Sequence, residues 1–398
     1  MKCTRHLFLM LLFFLIAACS ETEQVNYEGI SQQQSRGVST EEIIIGSHTD
    51  LSGPVAIWGV GSINGARMRF EELNAEGGVY GRKIRFIVED TQYQIPRAIQ
   101  AANKLIHRDN IFAMLLALGT PPNNAVLTQQ LAANVPNLFP LTGARSMVEP
   151  FHPLKFSQRG IYYEEIRAGL KFFAEKGNRR PCVIYQDTDY GQEILEGAED
   201  QAAEMGLEIW ETSAHKPTES EFTASILKLK NASCDAVFMG TIHRDTILIL
   251  ETARKLGIDA IFVGNNAAYA QVIADQKSGS GENYHAFVHM AKLYKEKDLP
   301  KPISEWWDRY EQRFGREPGT PAMEGYRAAD LVVSSLEIAG EDLSLEKFIQ
   351  AMESITDYQD LFGYKVSFSA QDHNGVSESV LSVVKNGKWE TVATGLSY

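Results

Sequence analysis

The sequence predicts an α/β chain of two doubly wound parallel-sheet lobes, on three observations. Short apolar runs alternate with amphipathic stretches from residue 42 onward, and that alternation is written twice in units of similar size. Each unit also carries an aromatic-glycine pair where its first strand meets its first helix. Strand, helix and strand repeated without a hairpin signal call for a parallel sheet with helices on both faces.

Two segments precede the alternation. Lys2 and Arg5 form a positive n-region, and Leu7 to Ala18 is an unbroken apolar run of 12 residues. A helix needs roughly 20 residues to cross a bilayer, so this run fits a signal peptide over residues 1–18. Ile16-Ala17-Ala18-Cys19 is similar to the bacterial lipobox, whose cysteine becomes the lipidated N-terminus, so Cys19 is the expected lipid-attachment residue. Acyl chains there would anchor the protein to a membrane of the cell envelope, at about 0.8 kcal/mol per buried CH₂. Residues 19–41 are polar, with Gln32, Gln33 and Gln34 in a row, and are expected to be a flexible linker. No other segment approaches transmembrane length.

In the first unit, Ile43-Ile44-Ile45, Ile84 to Val88 and Phe112 to Leu116 read as buried strands. Ile63, Ala66, Phe70 and Leu73 recur at helical spacing, and Gly77-Gly78 stops that helix. Further helices fit Pro96 to Arg108 and Asn123 to Asn134. In the second unit a strand follows Pro181, and Ile194, Ala198, Ala202 and Met205 mark one face of a helix that Gly206 ends. A strand is expected around Ile209, helices over Phe222 to Leu229 and Thr246 to Leu256, and strands at residues 236–239 and 260–263. The stretch from residue 286 holds helices at 302–314 and 323–339, then the alternating Val380 to Val384. It reads as the chain returning to the first lobe and crossing again to the second. Lobe 1 is therefore placed at 42–160 plus 286–376, and lobe 2 at 161–285 plus 377–398.

Cys3 leaves with the signal and Cys19 takes the lipid, which leaves Cys182 and Cys234. Both start apolar strand-like runs that a doubly wound sheet places side by side. A disulfide is open to them in an oxidising compartment; two buried free thiols are the reading preferred here.

Loops at the carboxyl ends of parallel strands are where such sheets bind ligands. Trp58-Gly59 and Tyr190-Gly191 occupy that loop in the two units, so the two rings are expected to face one another as pocket walls. Apolar residues make up 44% of the chain, enough for real cores. The net charge of −13, which becomes −15 without Lys2 and Arg5, comes with no basic run and argues against nucleic acid. No phosphate loop, nucleophile-elbow serine or zinc-protease pair occurs, so neither catalysis nor a cofactor is expected. His285 and His289 have a spacing that chelates metal on a helix, but no third ligand accompanies them and no metal is expected. Asp187 and Asp189 are expected to cap the helix that follows. Arg145 is either a steering cation at the cleft mouth or a solvated surface residue.

From Leu51 to Gly59 (LSGPVAIWG) the chain resembles the leucine/isoleucine/valine-type solute-binding proteins, type I periplasmic binding proteins that serve ABC importers. The likeness continues through Asn64-Gly65-Ala66, Asn74 to Gly78 and Gly81 to Ile84. It returns at Asp187 to Gly191, at Phe222 with Ile226, and at Asp235 to Phe238. The resemblance spans about residues 42–390 and implies two lobes joined by a three-crossing hinge, with a small-molecule ligand in the cleft. It implies a partnership with ABC permease subunits in the membrane, and a monomer is expected. A ligand-sensing receptor component is the alternative.

The same resemblance puts Trp58 and Tyr190 on the pocket walls and makes Gly119-Thr120 and Leu141-Thr142-Gly143 the holders of a ligand carboxylate. It places Ile242 at a position that is aromatic in some members. Amino-acid-binding members pair the ligand ammonium with an acid on the second lobe, where Asn266 stands here. A buried cation without a counter-charge is costly, so an amine-free organic or aromatic acid, or an amide, is expected in place of an amino acid. Asp275 and Glu324 are the alternative acids.

Overall fold

The computed structural model describes residues 35–296, 298–376 and 378–396. The signal segment and Cys19 lie outside them. The chain opens with β1 (Glu42–Thr49), α1 (Ala56–Ala75), β2 (Lys83–Asp90), α2 (Ile95–Asn103), β3 (Ala113–Leu115), α3 (Thr120–Ala132), β4 (Asn137–Leu138) and β5 (Lys155–Phe156). These strands form one sheet in the order β2-β1-β3-β4-β5, and every pairing is parallel. Ile43 and Ile45 of β1 are fully buried with Phe112, Leu138 and Phe156, because both faces of a parallel sheet are covered.

The second unit follows with α4 (Tyr162–Glu175), β6 (Pro181–Gln186), α5 (Asp189–Glu204), β7 (Glu211–His215), α6 (Thr223–Asn231), β8 (Ala236–Gly240), α7 (His243–Leu256), β9 (Ile261–Gly264), α8 (Gln271–Ala274) and β10 (Tyr284–Val288). Then come α9 (Lys301–Phe314), α10 (Thr320–Ala339), α11 (Leu345–Glu353), the short β11 (Tyr358–Gln359) and β12 (Lys365–Val366), and finally β13 (Val380–Lys385) and β14 (Lys388–Ala393). The second sheet runs β14-β13-β10-β9-β8-β6-β7. It is parallel from β7 to β10, and β13 and β14 add to it antiparallel.

α10 returns to the first sheet and packs along α1. A Cβ on Gly65 would meet Ala322 O at 2.0 Å, and one on Gly325 would meet Ser62 O at 1.9 Å, so the helices cross backbone to backbone. Arg69 pairs with Asp330 beside that crossing. The chain thus passes between the sheets three times: after β5, after β10 and before β13. The first and third passages lie together, since Ser157 N donates to His373 O and Gly375 N donates to Ser157 O, both at 2.9 Å.

Several expectations need correction. Cys182 and Cys234 form a disulfide rather than two free thiols, with Cα atoms 5.9 Å apart. Cys182 enters β6 and Cys234 stands just before β8, its neighbour, which puts the sulfurs side by side. Residues 35–41 of the linker are docked, not free. The Arg36 guanidinium donates to Ile111 O and Ala133 O, both at 2.8 Å, and to Ile106 O. β10 runs to Val288, so the exit from the second sheet falls beyond residue 285. β7 starts two residues after Ile209, and the helix expected to reach Arg108 changes to one π-helical turn at Lys104–Arg108. The antiparallel hairpin β13–β14 turns at Asn386-Gly387, both at positive φ, a strong hairpin signal that the reading of the sequence passed over.

Candidate functional site

The first strand of each lobe hands the chain to its first helix in the same way. In lobe 1 the Asp50 carboxylate accepts the backbone N–H groups of Ser52 at 3.2 Å and Val55 at 2.9 Å, which sets the turn into α1. A Cβ on Gly59 would meet Asp50 O at 1.9 Å, and one on Gly191 would meet Gln186 O at 1.9 Å. Only glycine lets each helix pass so close to the end of its strand. That contact fixes the preceding side chains, Trp58 and Tyr190, at the carboxyl ends of the two sheets.

They meet there. A cavity is walled by Val55, Trp58, Tyr93, Leu118, Gly119, Thr120 and Leu141 from lobe 1, and by Tyr190, Ile242 and Ala267 from lobe 2. Arg159 and Tyr162, from the first passage between lobes and the helix after it, complete the lining. Six of the predicted residues are therefore brought together: Trp58, Gly119, Thr120, Leu141, Tyr190 and Ile242.

The other three stand behind the wall. Thr142 Oγ1 is 2.7 Å from Thr120 Oγ1 and accepts Ala144 N–H at 3.2 Å, so it orients the Thr120 hydroxyl. Gly143 O accepts the Tyr162 N–H at 2.9 Å, and a Cβ on Gly143 would meet Gly160 O at 2.2 Å. Asn266 is buried with its side chain committed. Its Nδ2 donates to Gly160 O and to Glu165, both at 2.9 Å, and its Oδ1 faces Arg159 at 3.4 Å. Ala267 takes the place in the lining that the sequence assigns to Asn266.

The residues missed by sequence are Tyr93, Tyr162 and, above all, Arg159. The Tyr93 ring lies on Gly119, where an added Cβ would meet it at 2.3 Å. Tyr162 packs edge-on to Tyr190 with centroids 5.1 Å apart, and burial raises the phenols of Tyr93 and Tyr190, keeping both neutral. The Arg159 guanidinium lies 4.7 Å from the Trp58 ring centroid, a cation–π arrangement. Its Nε and one terminal nitrogen grip both oxygens of Glu324, the latter at 2.7 Å. His289 Nε2 lies 3.1 Å from the same carboxylate. Burial works against ionising Glu324, yet Arg159 and His289 hold it well below the usual carboxylate range. Burial likewise opposes the Arg159 charge, and Glu324 outweighs it.

No carboxylate stands among the lining residues. Glu324 is spent on Arg159. Glu165 is spent on Asn266 and on the Ser379 hydroxyl, which donates to it at 2.7 Å. Asp275 is exposed and accepts from Gln271 at 2.8 Å, so neither alternative acid lines the cavity. The wall offers an anion one cation, a hydroxyl at the first turn of α3 and that helix's positive end; it offers an ammonium only ring faces and neutral oxygens.

Outside the cavity the lobes are latched by polar pairs. Arg145, on a one-turn segment of lobe 1, lies 3.6 Å from Glu193 of α5, pairs with Glu196 and covers the Tyr163 ring at 4.1 Å. Its backbone N–H donates to Glu193 at 2.9 Å. Arg145 is thus neither a solvated cation nor free to steer an anion. Asp189 does not cap α5; it accepts from Asn124 Nδ2 of the opposite lobe at 2.8 Å, and the N-cap residue of the helix, Thr188, makes no side-chain cap hydrogen bond. His285 and His289 fall on and just past β10, not on a helix, and no cluster of three metal-ligating side chains occurs among the described residues.

The buried groups predict a loss of stability on the acid side of neutrality. Burial pushes the imidazoles of His48, His243, His285 and His289 down to about 4. Burial also pushes the Glu165 and Glu193 carboxyls up to about 7. The histidine contribution is lost as pH falls below the unfolded value of 6.5, where the unfolded chain binds protons that the folded chain does not. The two carboxyls favour the fold most below their unfolded value of 4.5, and that contribution is lost as pH rises through about 7. Four groups outweigh two between about pH 5 and 6.5, so melting temperature should fall as pH drops through that range. A midpoint that rises as pH is lowered from about 6.5 to 5 would contradict the assignment of these groups.

The cavity lies between the lobes at the carboxyl ends of the parallel strands of both sheets, where such sheets bind ligands. Residues 42–388 match the family model described as periplasmic binding protein. The chain belongs to that family, as a type I member of the branched-chain-amino-acid kind of ABC system, and its class is extracytoplasmic. It is similar to Leu/Ile/Val-binding protein homolog 7 of Brucella abortus, 23% identical over 90% of this chain and 93% of that one. Among solved structures it is similar to a fatty acid ABC transporter substrate-binding protein from Thermomonospora curvata, with TM-score 0.81 and 23% identity over 94% of this chain and 95% of that one. It is also similar to an R. palustris solute binding protein in complex with benzoate, with TM-score 0.79 and 16% identity over 89% of this chain and 97% of that one.

Proposed function

We propose that the chain is the lipid-anchored binding subunit of an ABC importer, tethered through Cys19. It captures an amine-free organic or aromatic acid, or an amide, between its lobes. The observation that carries this is the composition of the cavity wall, which has one cation, Arg159, and no carboxylate. An amino acid would bury its ammonium there unpaired, at a cost of several kcal/mol. A carboxylate meets Thr120, the α3 N-terminus and a guanidinium, and an apolar body meets Trp58, Tyr190 and Ile242. The names of the relatives run from branched-chain amino acids to fatty acids and benzoate, so the fold leaves the choice to the wall. The liganded, closed monomer then docks on its permease, because the ligand touches both walls only when the lobes are together.

A calorimetric and thermal-shift panel tests this with benzoate, phenylacetate and butyramide against leucine and valine. A ligand present at 100-fold its Kd adds about 2.7 kcal/mol of stability, and only the amine-free compounds are expected to do so. Trp58→Ala and Tyr190→Ala should each weaken that binding about tenfold or more, as central aromatic anchors do. Stabilisation by leucine or valine alone would overturn the proposal.

A further inference from the structure

A second cavity, of about 210 Å³, shares the Trp58 wall with the first and lies on its far side. Ile57, Thr320 and Pro321 line it from lobe 1, and Tyr269, Val272 and Trp389 from lobe 2. Its lining includes one basic side chain, Lys292, and no acid; Glu317, Asp275 and Glu296 lie near that ammonium outside the wall and favour its charge against burial. The Lys292 ammonium has a single hydrogen bond among the described residues, to Pro318 O at 3.4 Å, and sits 5.3 Å from the ring centroids of both Tyr294 and Trp307. An ammonium carries three donors, so two are left for another group.

Two further features face the same way. α10, a helix of 20 residues, begins at Thr320 in this wall, which brings the positive end of its dipole to the chamber. Thr320 is 3% exposed, and its buried hydroxyl has no hydrogen-bond partner. The opposite opening of the cleft has the reverse character. Its 1040 Å³ groove is lined by Glu149, Asp189, Glu193 and Glu196 around the already paired Arg145. The walls of the two openings thus differ in their ionisable groups, acidic at that mouth and basic at this one.

We propose that this chamber is a second binding site, which takes the carboxylate of an apolar organic acid between Lys292, Thr320 and the start of α10. The acid's hydrocarbon body lies against Ile57, Val272 and the rings of Trp58, Tyr269 and Trp389. The site stands apart from whatever fills the inner cavity, because none of its anion-holding groups lines that cavity.

Octanoate titrated calorimetrically into the purified protein tests this, with 1-octanol as the uncharged probe. Octanoate is expected to bind, about tenfold more weakly to Lys292→Met and about threefold more weakly to Thr320→Val, in line with losing a charged and a neutral partner. 1-Octanol is expected to bind far more weakly and to be indifferent to both substitutions. Thermal melts of the two variants report whether each is folded, and Thr320→Val keeps side-chain shape if Lys292→Met is not. Absence of octanoate binding, affinity unchanged in both variants, or equal binding of 1-octanol would each overturn the site.

Discussion

Arg159→Met should lower the unfolding free energy by about 3–5 kcal/mol, the cost of leaving one member of a buried ion pair alone. Both partners are almost wholly out of solvent, with side chains 2% and 0% exposed, so water cannot replace the lost guanidinium. The double variant Arg159→Met with Glu324→Gln removes both charges and should recover most of the loss in urea denaturation. Ligand binding should not recover with it, because the guanidinium against Trp58 is still missing. Stability and binding would then separate in one pair of proteins. A loss of less than about 1 kcal/mol in Arg159→Met would mean that Glu324 finds solvent or another partner.

Removing the disulfide is the second large effect. Cys182 and Cys234 are 52 positions apart, and closing a loop of that length constrains the unfolded chain by roughly 4 kcal/mol on the chain-entropy account. Cys182→Ala with Cys234→Ala should move the urea midpoint down accordingly. The bond lies where β6 and β8 begin, whereas the cavity lies where they end. Affinity for the best ligand should therefore change by less than about twofold, within the additivity expected of distant sites. A comparable loss of affinity would show that the two ends of the second sheet are mechanically coupled.

The fold was largely legible because it rests on local periodicity. β1, β8 and β9 are apolar runs, α5 is an amphipathic stretch, and α1 and α5 are both stopped by glycines. The Trp58-Gly59 and Tyr190-Gly191 pair was legible too, since a glycine forced by a close approach recurs at the same turn in both lobes. Arg159 was not. It sits in a passage with no period, and its partner is 165 residues away, so nothing near it in the chain announces a buried charge. Asn266 was placed in the correct turn but one residue from the wall, which Ala267 forms instead. The disulfide depended on sheet order, and strand neighbours alone do not say whether two thiols face each other. β7 was set early because Ile209 suggested a strand that begins only at Glu211, the polar edge strand of its sheet.

The latch across the cleft carries a consequence for a protein outside the cytoplasm. Glu196 is 60% exposed on its side chain, while Glu193 is only 9% exposed. Dissolved ions reach the first pair and not the second, and at about 0.15 M they screen charges beyond roughly 8 Å. Exposed pairs contribute about 0.2–1 kcal/mol at best. A rise in external salinity therefore loosens the outer half of the latch and leaves the inner half gripping Arg145. The cleft would open more readily in brine than in fresh water, yet keep a residual bias toward shut in both.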